Sequence, residues 1–233
     1  MTTIGFDIIS DLNLSPESNF NWEGKATSLY LIIAGNISSD LRTIRQTLLH
    51  LSRFYQGIFY ILGSTEYNYT GDIDARTHEI HKLCQTVKNV AVMHHHVVIV
   101  DGIAIAGANG WYGNTIPSDP VTEALVEQHR NEDILYLKNT LERLQKHLDV
   151  KKIILVSNSV PGEELYFKEA PESIQNQLNL GMILAHDTES KVSHWVYGTY
   201  GKVVDTTIRG VNYINNSYYN RNPYWAKRIE ITI

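Results

Sequence analysis

A chain of 233 residues, 43% of them hydrophobic and 19% charged, has the make-up of a soluble globular protein and the length to bury a large core. A net charge of −5, with no run of five or more Lys and Arg, argues against nucleic acid as a partner. Cys84 is the single cysteine, which excludes an intrachain disulfide, and no apolar stretch approaches the ~18 residues that cross a membrane. The first residues, Met1 to Asp7, lack the charged start and long apolar run of a signal peptide, so a cytoplasmic protein is expected.

In chain order, Leu29 to Ala34 reads as a strand covered on both faces, because it is apolar throughout. Ser39 to Tyr55 follows with Leu41, Ile44, Leu48, Leu49 and Leu51 at mostly helical spacing. Gly57 to Leu62 is a second buried strand, and Arg76 to Val87 a second helix carrying Ile80, Leu83 and Val87. Asn131 to Leu148 is the longest helical pattern, and Lys152 to Val156 the next apolar strand. Strand, helix, strand, repeated, predicts an α/β fold with parallel pairing. Shorter strands follow at His194 to Val196, Val203 to Ile208 and Val211 to Ile214, with Arg209-Gly210 as a tight turn between the last two. Arg228 to Ile233 alternates and closes the chain as a strand. With no repeat, low-complexity run or linker, residues 1–233 are expected to form one domain.

Open α/β sheets bind ligands beyond the carboxyl ends of their strands, so the turns after the strands carry the information. They read Ser10-Asp11-Leu12-Asn13, Ala34-Gly35-Asn36, Leu62-Gly63-Ser64-Thr65-Glu66, Val156-Ser157-Asn158 and His194-Trp195-Val196-Tyr197-Gly198-Thr199-Tyr200-Gly201. In order and spacing this series resembles the motifs of the calcineurin-like metallophosphoesterases: Asp-x-His, Gly-Asp, Gly-Asn-His-Glu, a metal-binding His, and Trp-x-x-Gly-His-x-His. Asp205 and Asn215-Asn216 fall where that family's closing hairpin tends to have Asp and Asn. The resemblance implies a four-layer α/β/β/α sandwich of two mixed sheets.

It also implies two metal ions that activate a water and stabilise phosphoryl oxygens, held at positions that here are Asp11, Asn13, Asn36, Ser64, Asn158, Thr199 and Gly201, with Thr65 in place of an assisting histidine. Only Asp11 keeps the family's residue type. The bridging carboxylate is replaced by Asn36, the histidines by Asn13, Asn158, Thr199 and Gly201, and the asparagine ligand by Ser64. Neutral amides and hydroxyls are poor ligands for first-row metals, and glycine offers no side chain. Neither a metal nor any other cofactor is therefore expected.

Other chemistry-bearing residues admit blander readings. His94 and His96 could chelate from one face of a strand, but a polar lead-in to Val97-Val98-Ile99-Val100 is the simpler account. His78 and His81, three apart on a helix, lack an evident third ligand. Glu66 and Asp205 could rebuild an acid/base site with Asp11, although Glu66 more simply supports its turn. Tyr213, Tyr218, Tyr219, Tyr224 and Trp225, set among asparagines, are either anchors for a partner or a cover for the sheet edge, and Trp111-Tyr112 forms a second such patch.

The reading that results is a catalytically inactive metallophosphoesterase-like protein. It would act through a protein partner or self-assembly, in the cytoplasm or in an assembly such as a virion, with no membrane and no nucleic acid involved. The alternatives are a divergent phosphoesterase or nuclease with a rebuilt metal site, and a non-catalytic binder of a nucleotide or other small ligand.

Overall fold

A computed structural model describes residues 1–67, 72–111, 120–165, 180–199, 203–218 and 223–233. Eleven strands among these residues form two mixed sheets. In the first, β1 (Thr3–Ile9), β2 (Tyr30–Ala34), β3 (Gly57–Ile61) and β4 (Val90–Val92) run parallel, and β11 (Lys227–Thr232) pairs antiparallel with β1 at the edge. In the second, β6 (Ile103–Ala108), β7 (Lys152–Ser157), β8 (Val192–Tyr197) and β10 (Val211–Asn216) are parallel neighbours, with β5 (His96–Val100) and β9 (Val203–Ile208) antiparallel at the two edges.

The two-residue period of a strand sends alternate side chains to opposite faces, and each central strand is apolar on both. On β2, Ile32 and Ala34 pack between the sheets with Phe6, Ile8, Ile61, Ile105, Ile154 and Val196. Leu31 and Ile33 face the other way, onto α1 (Leu41–Leu51) and α3 (Ile73–Cys84), where Ile44, Leu48 and Ile80 meet them. On the second sheet Ile153, Leu155 and Trp195 point outward onto Leu137, Leu141 and Leu144 of α4 (Pro120–Lys146) and Ile183 of α5 (Leu180–Leu184). Three apolar seams between four layers give the expected α/β/β/α sandwich. A fifth, four-residue helix, α2 (Ser64–Tyr67), follows β3 directly.

Helix starts follow capping chemistry. Asp40 accepts from the Thr43 N–H at 2.7 Å before α1, and Asp72 accepts from the Ala75 N–H at 2.8 Å before α3. Those caps explain why α1 begins later, and α3 earlier, than the apolar spacing alone predicts. α4 begins eleven residues before the predicted Asn131, because its N-terminal half puts Leu125 and Val126 into the core of the first sheet, a sparser stripe than that of the C-terminal half. Arg209 and Gly210, both with positive φ, make the expected turn between β9 and β10.

Candidate functional site at the strand ends

The parallel strands of both sheets end together. Asp11, Asn13, Asn36 and Thr199 all adopt left-handed φ, between 45° and 62°, at the tips of the turns after β1, β2 and β8. Residues with a side chain adopt that region at a cost, and such positions gather at sites where the surroundings fix the backbone. Here the surroundings are the side chains themselves.

Asn36 lies at the centre. Its amide N–H groups donate to Asp11 Oδ1 at 2.8 Å and to Thr199 Oγ1 at 3.1 Å. Its carbonyl oxygen accepts from the Thr65 N–H at 2.9 Å and the Ser64 hydroxyl at 3.4 Å. All four bonds open to an asparagine side chain are thereby made. Asp11 also accepts from the Thr199 N–H, 2.9 and 3.0 Å from its two oxygens, and from the Ser10 hydroxyl at 3.0 Å. The Thr199 hydroxyl donates to Asn158 Oδ1 at 2.7 Å, and Asn158 Nδ2 donates to the Ala34 carbonyl at 2.8 Å. At the rim, Thr65 donates its hydroxyl to Asn13 Oδ1 at 2.8 Å. Burial raises the Asp11 carboxyl, and the donors from Asn36, Thr199 and Ser10 pull it back down.

Glu66 supports this cluster from behind. Its two oxygens accept from the backbone N–H of Asn36, Ile37 and Gly63 and from the Tyr60 hydroxyl, at 2.5 to 3.0 Å. Burial pushes the Glu66 carboxyl up to about 7 against those donors. Glu66 is thus the support of its turn, as the simpler sequence reading held. Asp205 is not brought to Asp11: it lies on β9, half-exposed, 2.5 Å from Lys227 Nζ. The rebuilt three-carboxylate site is therefore corrected, because β9 is an edge strand away from the converging turns.

Asn215 and Asn216 on β10 are buried and serve backbone, donating to the Gly198 carbonyl at 3.1 Å and the Ile8 carbonyl at 2.8 Å.

The aromatic candidates divide. Tyr224, 2% exposed, and Tyr213, 1%, are core, and Trp111 is buried against Tyr67 with ring centroids 4.5 Å apart. Tyr224 and Trp111 are therefore corrected as partner anchors: Tyr224 fills the space between Trp22 and Tyr218. Tyr218 is half-buried against the same core, and Trp225 is 52% exposed. Tyr112, Tyr219 and Gly201 lie outside the described residues. His94 and His96 line one groove with His81, yet among the described residues the ligand group that includes His94 is completed by His95 and Asp133. His96 is exposed on β5, whereas His94 stacks on His95 at 4.2 Å, beside the buried carboxylate of Asp133.

Sequence reading passed over Asp133. A signal was present: Asp133, Leu137, Leu141 and Leu144 recur at helical spacing, which places a carboxylate on the apolar stripe of α4.

Neither a protein-family model nor a curated protein matches the sequence. Solved structures do. Phosphopantetheinyl hydrolase (PptH) from Mycobacterium tuberculosis superposes with a TM-score of 0.69 at 20% identity, over 96% of this chain and 95% of that one. The chain has the calcineurin-like metallophosphoesterase fold. A putative 5'-nucleotidase from Staphylococcus aureus superposes at 0.59 and 12% identity over 99% of this chain, which spans about half (51%) of the nucleotidase. GAP50 of Plasmodium, described as the anchor in the inner membrane complex, superposes at 0.56 and 11% identity, over 99% of this chain and 81% of that one.

The metal pair that this metallophosphoesterase fold implies does not fit the residues present. Between Asp11 and Thr199 stands the amide of Asn36, a hydrogen donor towards both, where a ligand set needs lone pairs turned inward. Among the described residues of the cluster, one carboxylate, Asp11, would face two dications. The strand-end cluster bonds to itself instead.

Proposed function

We propose that this chain is a non-catalytic protein of phosphoesterase fold, used as a protein-binding or structural subunit. The observation that carries the reading is the Asn36 side chain, which spends both its donors on Asp11 and Thr199 and both its acceptors on Ser64 and Thr65. Hydrolysis of a phosphoester near neutral pH needs a water made nucleophilic, which in metal sites means a pKa lowered from about 15.7 to about 7. A neutral, self-bonded cluster around a single buried carboxylate supplies no such lowering. What remains is a rigid sandwich, a platform of the kind on which loops carry binding function. That a neighbour of this fold is described as an anchor supports a structural use. Among the described aromatic candidates, Trp225 and the outer edge of Tyr218 are the side chains a protein partner would meet.

The test is hydrolysis of p-nitrophenyl phosphate and bis-p-nitrophenyl phosphate by the purified chain with manganese, iron(II) or zinc. No turnover above buffer is expected. Metal-dependent turnover that Asp11→Asn abolishes would overturn the proposal.

A further inference from the structure

Among the described residues, one cluster of ligating side chains lies outside the strand-end site. The tight turn between β4 and β5 carries His94 and His95, and α4 carries Asp133. His95 Nε2 is 2.6 Å from Asp133 Oδ1, and His94 Nδ1 is 3.9 Å from the same oxygen. One ligand atom from each of the three residues falls within 4.8 Å of the others. Donors around a tetrahedral zinc ion, each about 2.0–2.1 Å from it, stand about 3.3 Å apart, between the two spacings observed. The His94 and His95 rings stack at 4.2 Å, so an ion bound by both would turn His94 out of that stack.

Three features go beyond a chance meeting of polar groups. Asp133 is fully buried, and its second oxygen is held by the Gly110 N–H at 2.6 Å, which fixes the direction of the first. Such outer support is what orients a metal-binding carboxylate. His95 holds a left-handed φ of 50°, fixed by its N–H to the Gly107 carbonyl at 3.1 Å. An imidazole-bearing residue is thus kept in a costly conformation that points its ring at Asp133. The third feature is His94 Nδ1, which is buried and has no hydrogen-bond partner among the described residues, a state that costs free energy unless something fills it. His81, whose buried Nε2 likewise lacks a partner, lines with His94 the same open groove beside α3.

We infer that His94 Nδ1, His95 Nε2 and Asp133 Oδ1 form a binding site for a divalent cation of the zinc class, separate from the metal positions of the fold. Two imidazoles and a carboxylate match that class and not calcium or magnesium, which prefer all-oxygen sets. Three protein ligands leave a fourth position for water, and the open groove that His94 lines lies beside the site. Asp133 is tied through Gly110 to the loop whose Asn109 carbonyl accepts from the N–H of Asn158 and Ser159. An occupied site would therefore brace the turn that carries Asn158, linking α4 to the strand-end cluster.

The experiment is a zinc titration of the chelator-stripped full chain by calorimetry, with elemental analysis after gel filtration. One zinc per chain is expected. His94→Gln and His95→Gln, each keeping a side chain able to hydrogen-bond, should weaken binding by about a hundredfold or more, while Asp11→Asn leaves it unchanged. Cobalt should bind with the same dependence and give visible absorption bands that His95→Gln removes. A wild-type chain that stays folded and retains no zinc overturns the inference. So does zinc held undiminished by both histidine variants, and zinc lost with Asp11→Asn would place it at the strand ends instead.

Discussion

Asn36 illustrates how one side chain can turn an ion-binding geometry into a hydrogen-bonded one. An amide and a carboxylate have nearly the same shape, yet an amide presents two hydrogens where a carboxylate presents lone pairs. With Asp11 Oδ1 only 2.8 Å away, an amide is attracted and a second carboxylate repelled. Asn36→Asp should therefore destabilise the protein in the presence of a chelator, by about 2–4 kcal/mol, since it sets two buried like charges in contact and removes two bonds. Urea unfolding followed by circular dichroism measures this. Unchanged stability would mean that Asn36 does not hold the cluster together.

At the scale of elements, the cluster exists because strand ends from both sheets reach the same place. Gly198, just after β8, shows how tightly. A Cβ there would run into the Ala34 carbonyl at the end of β2 and come within 2.7 Å of Asn158 Nδ2. The two sheets touch at this point, backbone against backbone, which only glycine permits. Gly198→Ala should push the β2 and β8 ends apart and break the Asn158 to Ala34 bond, at a cost of about 3 kcal/mol. A shift of the urea midpoint without a change of slope would report that loss. A neutral substitution would show the ends to be looser than the structure has them.

For the whole molecule, acid stability should carry the signature of buried histidine. His194, mostly buried on β8, is pushed down to about 4 from an ordinary 6.5, first by desolvation and then by Lys152, with Asp205 opposing. Its folded value lies below its unfolded one, so the unfolded chain binds the proton more readily. The contribution is complete above about pH 6.5 and is lost as pH falls towards about 4. Glu66 has the opposite sign: its raised carboxyl favours the fold below about pH 4.5 and that contribution is lost as pH rises through about 7. A comparison of wild type with His194→Gln separates the two. The variant should lose less stability between pH 6.5 and 4, by on the order of 2–3 kcal/mol. Parallel stability curves for the two proteins would refute the assignment to His194.

By itself the sequence determined the α/β class, the central strands and the depletion of ligands at the strand ends. Those features are local: an apolar run of five residues, a small turn after it, and a neutral residue where a charged one would be needed. That Glu66 supports its turn was legible, but its bonds to the N–H of Asn36 and Ile37, from the turn after β2, were not. The tertiary structure alone decided what the neutral residues do with one another, since Asn36 and Thr199 lie 163 positions apart and meet only when both sheets close. It likewise decided which aromatic side chains are core. Tyr224 and Trp225 are adjacent and chemically alike, and the path of the chain into β11 buries one and exposes the other. The pairing of His94 and His95 with Asp133 belongs to the same class of fact. Three residues from a turn and a helix become neighbours because α4 packs against β6, a contact that no spacing along the chain encodes.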